Sequence, residues 1–181
     1  DFFYQILTKN NIPVASIGTL GIRYQKKTIK TDLTSPDIIT LHKNLEKLKK
    51  NKIDNVIIEA SSHGLDQNRL DNLKIKVGIF TNFSQDHLDY HKTMKKYFRA
   101  KLNLFTKLLP KKSHVITDNL IKEYSILKKI CKNRQLKLLN INKFIYKLKD
   151  IPIPLIGSFQ IKNLLMAILA ARLCNVKNDK I

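Results

Sequence analysis

Short, uninterrupted apolar runs alternate along this chain with stretches in which apolar residues recur every three or four positions. The runs are Val14-Ala-Ser-Ile17, Val56-Ile-Ile58, Val77-Gly-Ile-Phe80 and His114-Val-Ile-Thr117, with a weaker one at Leu136-Lys-Leu-Leu139. Runs this short, without alternation, predict strands buried on both faces, as in a parallel sheet. The periodic stretches predict helices. Ile38, Leu41, Leu45 and Leu48 make one face of a helix over residues 36–50, with lysines opposite and Pro36 in the first turn. Met94, Tyr97, Phe98, Leu102, Phe105, Leu108 and Leu109 make the buried stripe of a second. Leu120 to Ile130 forms a third, and a last one presents Ile161, Leu164, Leu165, Ile168, Leu169 and Leu173, with Ser158 as its cap. Residues 2–9 read as the tail of a helix ended by Lys9-Asn10-Asn11 and Pro13. Gly18-Thr-Leu-Gly21 breaks the first strand, a polar segment follows to Pro36, and Pro152 and Pro154 mark a loop or edge strand.

Strand and helix in alternation predict an α/β fold, a mostly parallel sheet flanked by helices. Ligands of such sheets collect at the carboxyl ends of the strands. Gly18, Glu59 and the segment from Asn82 to His87 all stand at such ends, which predicts an active site there. With 181 residues, 43% of them hydrophobic, the prior is one domain over residues 1–181. No run approaches the length of an apolar membrane span, and the acidic start lacks the basic region of a signal peptide. These features predict a cytoplasmic protein without a membrane partner. Cys131 and Cys174 stand far apart among apolar helical positions and read as free, buried thiols. His42 and His114 each stand alone and read as structural.

The net charge of +20, from 34 Lys and Arg against 14 Asp and Glu, raises the question of a nucleic-acid partner. Its distribution argues for solvated helix faces instead. Lysines cluster at Lys43, Lys47, Lys49 and Lys50, at Lys95 and Lys96, and at Lys128 and Lys129, without interleaved aromatics or a basic arm. No specific nucleic-acid partner is expected; a basic RNA- or DNA-binding module is the alternative from another class, and steep salt dependence would be its mark. The positive field would also attract a phosphorylated substrate.

Two segments concentrate reactive side chains. In the first, Thr81-Asn-Phe-Ser-Gln-Asp86-His87-Leu-Asp89-Tyr-His91 precedes the helix that carries Lys101. Lys101 stands three after Phe98 and four after Tyr97, inside the apolar stripe. Either its methylenes pack while the amine snorkels to water, or a desolvated, neutral amine serves a site beside His87 and an acidic residue. Spacing alone does not choose. In the second, Glu59-Ala-Ser61-Ser62-His63-Gly64-Leu65 is followed by Gln67 and Arg69. A strand-end carboxylate suits a hard cation such as Mg²⁺, and Arg69 suits a carboxylate or phosphate, although a plain strand-to-helix turn with cap residues gives the same wording.

Together these words resemble the central domain of the Mur ligases, most of all the branch that adds the third amino acid of the peptidoglycan stem. Besides the two segments, Ala100-Lys101, Thr34-Ser35-Pro36 and Gly157-Ser-Phe-Gln-Ile-Lys-Asn163 carry the likeness, which covers nearly the whole chain. It implies a P-loop NTPase-like domain that lacks its P-loop, since no GxxxxGK(S/T) stretch occurs in the chain. It also implies a domain cut before residue 1, with uridine-binding and carboxy-terminal domains outside the chain, and hence no activity for the chain alone. The implied roles are a carbamylated Lys101, His87 and Glu59 as Mg²⁺ ligands and catalytic groups, and Thr34, Ser35, Ser61, Gln67 and Arg69 as contacts to UDP-MurNAc-L-Ala-D-Glu. The implied reaction uses ATP to activate the D-Glu γ-carboxylate as an acyl phosphate, which a diamino acid, meso-diaminopimelate or L-lysine, then attacks. A monomer is expected. The neighbouring alternatives are a folylpolyglutamate synthase or another Mur ligase. The chain departs from the family's habit at Ala60, Gln85, Lys92 and Ser35; Ser35 keeps a hydroxyl, whereas Gln85 gives up a charge beside the metal site.

Overall fold

A computed structural model of the chain describes residues 1–144 and 157–174. The chain divides into two compact units: one holds Phe3–Leu73 and Gln85–Leu108, the other Lys74–Ser84 and the chain from Leu109 onward.

The first unit is built on a four-stranded sheet. After helix α1 (Phe2–Lys9) come β1 (Val14–Gly18), β2 (Gly21–Tyr24) and β3 (Lys27–Ile29), then α2 (Ile38–Lys50) and β4 (Asn55–Ile58), in the sheet order β3-β2-β1-β4. Only the β1–β4 pair is parallel, with Val14 opposite Asn55 and Ile17 opposite Ile58. The polar segment after Gly21 therefore corrects the sequence reading, because it holds two antiparallel strands. Gly21 opposes Gly18 across a tight turn, with φ +84°, and a Cβ there would sit 2.3 Å from the Ile29 carbonyl oxygen. Gln25 and Lys26, at φ 44° and 64°, make the two-residue turn between β2 and β3. That left-handed pair is the geometry a twisted hairpin favours, here without the Asn-Gly or Asp-Gly that would signal it. The Asp37 side chain caps α2 by accepting from the Thr40 N–H, and Leu41 and Leu48 are buried on its expected face.

The unit is completed by α3 (Ser62–Asp66), α4 (Leu88–His91) and α5 (Met94–Asn103), which runs into a π-helical turn, Leu104–Leu108. Here the buried positions are Tyr97, Ala100, Leu104 and Phe105, followed by Leu109 where the second unit resumes, whereas Phe98, Leu102 and Leu108 are only half-buried. The step from Leu104 to Leu109 is five residues, the spacing of a π turn, so the uniform α-helical stripe is corrected in phase.

The strands expected in one mostly parallel sheet are thus divided between two, and the second unit carries an all-parallel one in the order β5 (Val77–Phe80), β6 (His114–Thr117) and β7 (Lys137–Asn140). Val115 and Ile116 of the central strand are fully buried, as a strand covered on both faces requires. Helix α6 (Tyr124–Asn133) starts later than expected and buries Leu127 and Cys131. Helix α7 (Ser158–Leu173) packs on β5 and β6, starts after Gly157 and buries every residue from Leu165 to Ala171. Lys162 on its first turns pairs with the buried Asp118 at 2.6 Å. Both cysteines are free, Cys131 with its thiol pushed up to about 11 by burial and Cys174 only half-buried at the end of α7. The loop or edge strand expected at Pro152 and Pro154 lies outside the described residues.

Candidate functional site

The site grows from the carboxyl ends of β1 and β4. Parallel pairing of these strands continues one step past β4, where the Glu59 N–H donates to the Ile17 carbonyl at 2.8 Å. Glu59 is thereby set beside the β1–β2 turn, and its Oε2 accepts from both the backbone N–H and the hydroxyl of Thr19, each at 3.0 Å. Gly18 makes this approach possible, since a Cβ at that position would lie 2.6 Å from Glu59 Oε2. The Thr19 hydroxyl lies 3.3 Å from that of Thr34, which joins the segment before α2 to the strand-end carboxylate. Thr19 was not singled out from the sequence; its place directly after the strand-ending Gly18 is the signal that could have found it.

Ser35 is the hub of the next layer and is 1% exposed. Its hydroxyl donates to the Glu59 carbonyl at 2.9 Å, lies 2.9 Å from the Ser61 hydroxyl and accepts from the Ser61 N–H. Ser61 in turn caps α3, accepting from the Gly64 N–H at 3.0 Å. Arg69 donates through Nη1 to the Ser35 carbonyl at 2.8 Å and through Nη2 to Oε1 of Gln67. Thr34, Ser35, Ser61, Gln67 and Arg69 thus form one hydrogen-bonded group with Glu59.

Gly64 is fitted to this group, because a Cβ there would lie 2.6 Å from Ser35 Cβ and 2.8 Å from Ser35 Oγ. Alanine gains about 1 kcal/mol of helix propensity over glycine, but forced overlap in a packed site costs about 1–3 kcal/mol. Ser35, fixed on several sides, has no room to yield, so the overlap should win. Gly64→Ala is expected to lower the melting temperature by at least about 2 °C; an unchanged or raised melt in a thermal scan would show that Ser35 moves freely.

His87 and Lys101 are arranged around Tyr97. His87 sits in the left-handed region, φ 53°, immediately before α4, and its N–H donates to Asp86 Oδ1 at 2.8 Å. Its ring lies 4.9 Å from that of His63 and edge-on to Tyr97 at 5.9 Å. Lys101 Nζ stands 5.5 Å from the centre of the Tyr97 ring. Burial lowers the Lys101 pKa, while the carboxylates of Asp86 and Glu59 oppose that shift. Lys101 is half-buried, so its environment combines desolvation with a nearby anionic field. On the other side of Tyr97, His91 is 4% exposed, stacks on the Tyr97 ring at 5.3 Å and shares a hydrogen bond of 2.9 Å with the Ser62 hydroxyl. Burial lowers its pKa too, with Asp66 opposing. The sequence reading noted Asp86 and His91 only as members of a reactive segment and Tyr97 only as part of the buried stripe; it gave none of the three a role of its own in the site.

All the site residues singled out from the sequence lie in the first unit. As donors for a hard cation they fit in part. Glu59 has one oxygen committed to Thr19 and the other available, and His87 offers a ring nitrogen. The Lys101 amine becomes an oxygen donor only as a carbamate. Among the described residues no group of three or more His, Cys, Asp or Glu side chains is placed to hold a metal ion unaided. A cation here would share its shell with substrate oxygens and water, which is how Mg²⁺ usually binds.

Comparison with known proteins places the chain in a family. The family model described as the Mur ligase middle domain matches residues 1–147. A relative from Rickettsia bellii, named UDP-N-acetylmuramoyl-L-alanyl-D-glutamate–2,6-diaminopimelate ligase, is 42% identical over 92% of this chain and 40% of its own length. A solved structure of a ligase of that name superposes with a TM-score of 0.79 at 24% identity, covering 97% of this chain and 40% of the other. A variant of L. casei FPGS superposes at 0.64 with 15% identity, over 95% of this chain and 54% of its own. At these identities the two structures speak for the fold alone, a central Mur-ligase-type α/β domain. The chain spans about 40% of the length of the Rickettsia relative. From the span of the family match and the likeness to the Rickettsia protein, the chain belongs to the Mur ligase family and carries its middle domain.

Proposed function

We propose that the chain is the central domain of an ATP-dependent ligase that joins a diamino acid, by preference 2,6-diaminopimelate, to UDP-MurNAc-L-Ala-D-Glu. The observation that carries this reading is the Lys101 amine, half-buried over Tyr97 within the field of the Asp86 and Glu59 carboxylates, in a chain 42% identical to the Rickettsia bellii ligase. In the reaction, the D-Glu γ-carboxylate takes the γ-phosphoryl group of ATP and ADP leaves. The amine of the diamino acid then attacks the acyl carbon, phosphate departs with the bonding pair, and the new amide nitrogen loses a proton. Such chemistry asks the protein chiefly for positioning and for neutralisation of charge on the phosphoryl group.

The chain's own residues divide that work. Arg69, held by Ser35 and Gln67, presents its remaining N–H donors to an anionic part of the nucleotide-sugar peptide, with the Thr34 and Ser61 hydroxyls, whose own hydrogens are taken by Thr19 and Ser35, at hand as acceptors. Glu59, His87 and a carbamate on Lys101 would hold Mg²⁺, which when bound supplies charge neutralisation at the phosphates. Thr19 fixes the Glu59 carboxylate through Oε2 alone. The reading keeps the enzyme in the cytoplasm, where nucleotide-linked precursors and ATP are found together.

The test is an assay of the protein that carries this chain together with the flanking segments of its relatives. With UDP-MurNAc-L-Ala-D-Glu, ATP and diaminopimelate, one ADP and one phosphate should form per amide, and L-lysine should serve less well. No ADP release with these substrates would overturn the proposal, and glutamate addition to a folate would move the chain to the folylpolyglutamate reading. The 181-residue chain alone, which contains no GxxxxGK(S/T) stretch, should release no phosphate.

A further inference from the structure

Tyr90 stands on α4 and is 36% exposed. Its ring packs 4.2 Å from His63 and 4.7 Å from His91. Its hydroxyl donates to Asp66 Oδ2 at 3.1 Å and accepts from Gln67 Nε2, also at 3.1 Å. We propose that Tyr90 is a positioning residue that sets the polarity of the Gln67 side chain and through it aims the Arg69 guanidinium. This deepens the function proposed above and rests on it in one respect, that Arg69 meets an anionic substrate.

The argument is one of donor and acceptor capacity. An ionised carboxylate only accepts, so the single hydroxyl hydrogen of Tyr90 is drawn to Asp66. The phenolic oxygen that remains must receive a hydrogen, and the Gln67 amide meets it with its NH₂ end. Oε1 is then the end left for Arg69, whose guanidinium only donates. With the amide turned round, NH₂ would oppose the guanidinium N–H groups and the contact would be lost. Asp66, Tyr90, Gln67, Arg69 and Ser35 thus form a chain whose direction is fixed at the Asp66 end. A chain of this kind fixes an arginine more sharply than any one bond in it.

Tyr90→Phe removes the hydroxyl and keeps the ring packing. In the full protein it should raise KM for UDP-MurNAc-L-Ala-D-Glu about tenfold, the scale of one charge-assisted hydrogen bond. Turnover and KM for ATP should stay within about twofold, since binding rather than the reacting atoms is affected. On a Gln67→Ala background the same change should have no further effect, because the link it acts through is gone. Undiminished loss on that background, or a fall in kcat at constant KM, would overturn the proposal. Asp66→Ala, which frees the hydroxyl to turn, should repeat the pattern and serves if Tyr90→Phe does not fold. A second readout does not depend on catalysis. In the free 181-residue chain, Tyr90→Phe should move the NMR signals of the Gln67 side-chain amide and Arg69 Nε–H; unmoved signals would refute the relay even if the ligase reading holds. If the wild-type protein does not turn over the nucleotide-sugar peptide, that reading fails while these signals still decide the relay.

Discussion

Lys101→Arg is expected to leave the chain folded and to lower ligase turnover by at least about a hundredfold, the scale of a lost preorganised charge at a phosphoryl-transfer site. Arginine keeps the length and the positive charge, and it keeps the contact with the Tyr97 face. If Lys101 only snorkelled, arginine would be tolerated within a few-fold. What arginine does not offer is a neutral amine, because its pKa lies far above any working pH. Burial lowers the Lys101 pKa, so a larger share of its amine is neutral near neutrality than for a solvated lysine. That nitrogen can attack CO₂, forming a carbamate and releasing one proton, and the reactive share grows as pH rises through the lowered pKa.

The same surroundings set a condition. A carbamate is an anion placed near Asp86 and Glu59, whose carboxylates favour the protonated amine. Without a cation the product is repelled; with one it is welcome. Labelled bicarbonate should therefore give a carbamate carbon signal that strengthens when Mg²⁺ is added and is absent from Lys101→Arg. A signal of equal strength with and without Mg²⁺ would show that no cation is shared there.

The second large effect is on stability. Phe105→Ala should cost about 3–5 kcal/mol, the usual penalty for emptying a buried aromatic site, out of a total that is about 5–15 kcal/mol for most domains. Phe105 is 1% exposed at the π turn. Leu102→Ala, at a half-buried position of the same segment, should cost about 1–2 kcal/mol. Urea titrations of the two variants check the contrast. Equal losses would mean that the segment packs as the uniform α-helix that its sequence spacing suggests.

That contrast marks where the sequence was legible. The apolar runs of β1, β5 and β6 were plain because covered strands need continuous apolar residues; that of β4 marked a strand too, although at the end of its sheet it is half-buried along its whole length rather than covered on both faces; and α2 was plain because a half-covered helix needs a stripe. The π turn was not, since Leu104, Phe105, Leu108 and Leu109 satisfy an α-helical template and only packing decides which of them point inward. The β2–β3 hairpin was missed for another reason. Its turn places Gln25 and Lys26 at positive φ, a conformation their side chains tolerate but do not advertise. In the site, Glu59, Ser61, Gln67, Arg69, His87 and Lys101 were legible as clustered chemistry and by resemblance. The bonds that order them depend on long-range partners: Thr19 could have been suspected from its place after Gly18, but its pairing with Glu59 and that of Tyr90 with Gln67 join residues far apart in the chain.

The β3 strand ends the first sheet, and its outer backbone groups are the kind that another chain could pair with. It is three residues long, exposed at Lys27 and Thr28, with Lys26 and Lys30 on either side. Shortness and charge together make a poor template for a stranger's strand. The lysine richness that looks idle in the composition is, at this edge, a guard against aggregation, and apolar residues at Lys26, Lys27 and Lys30 would remove it.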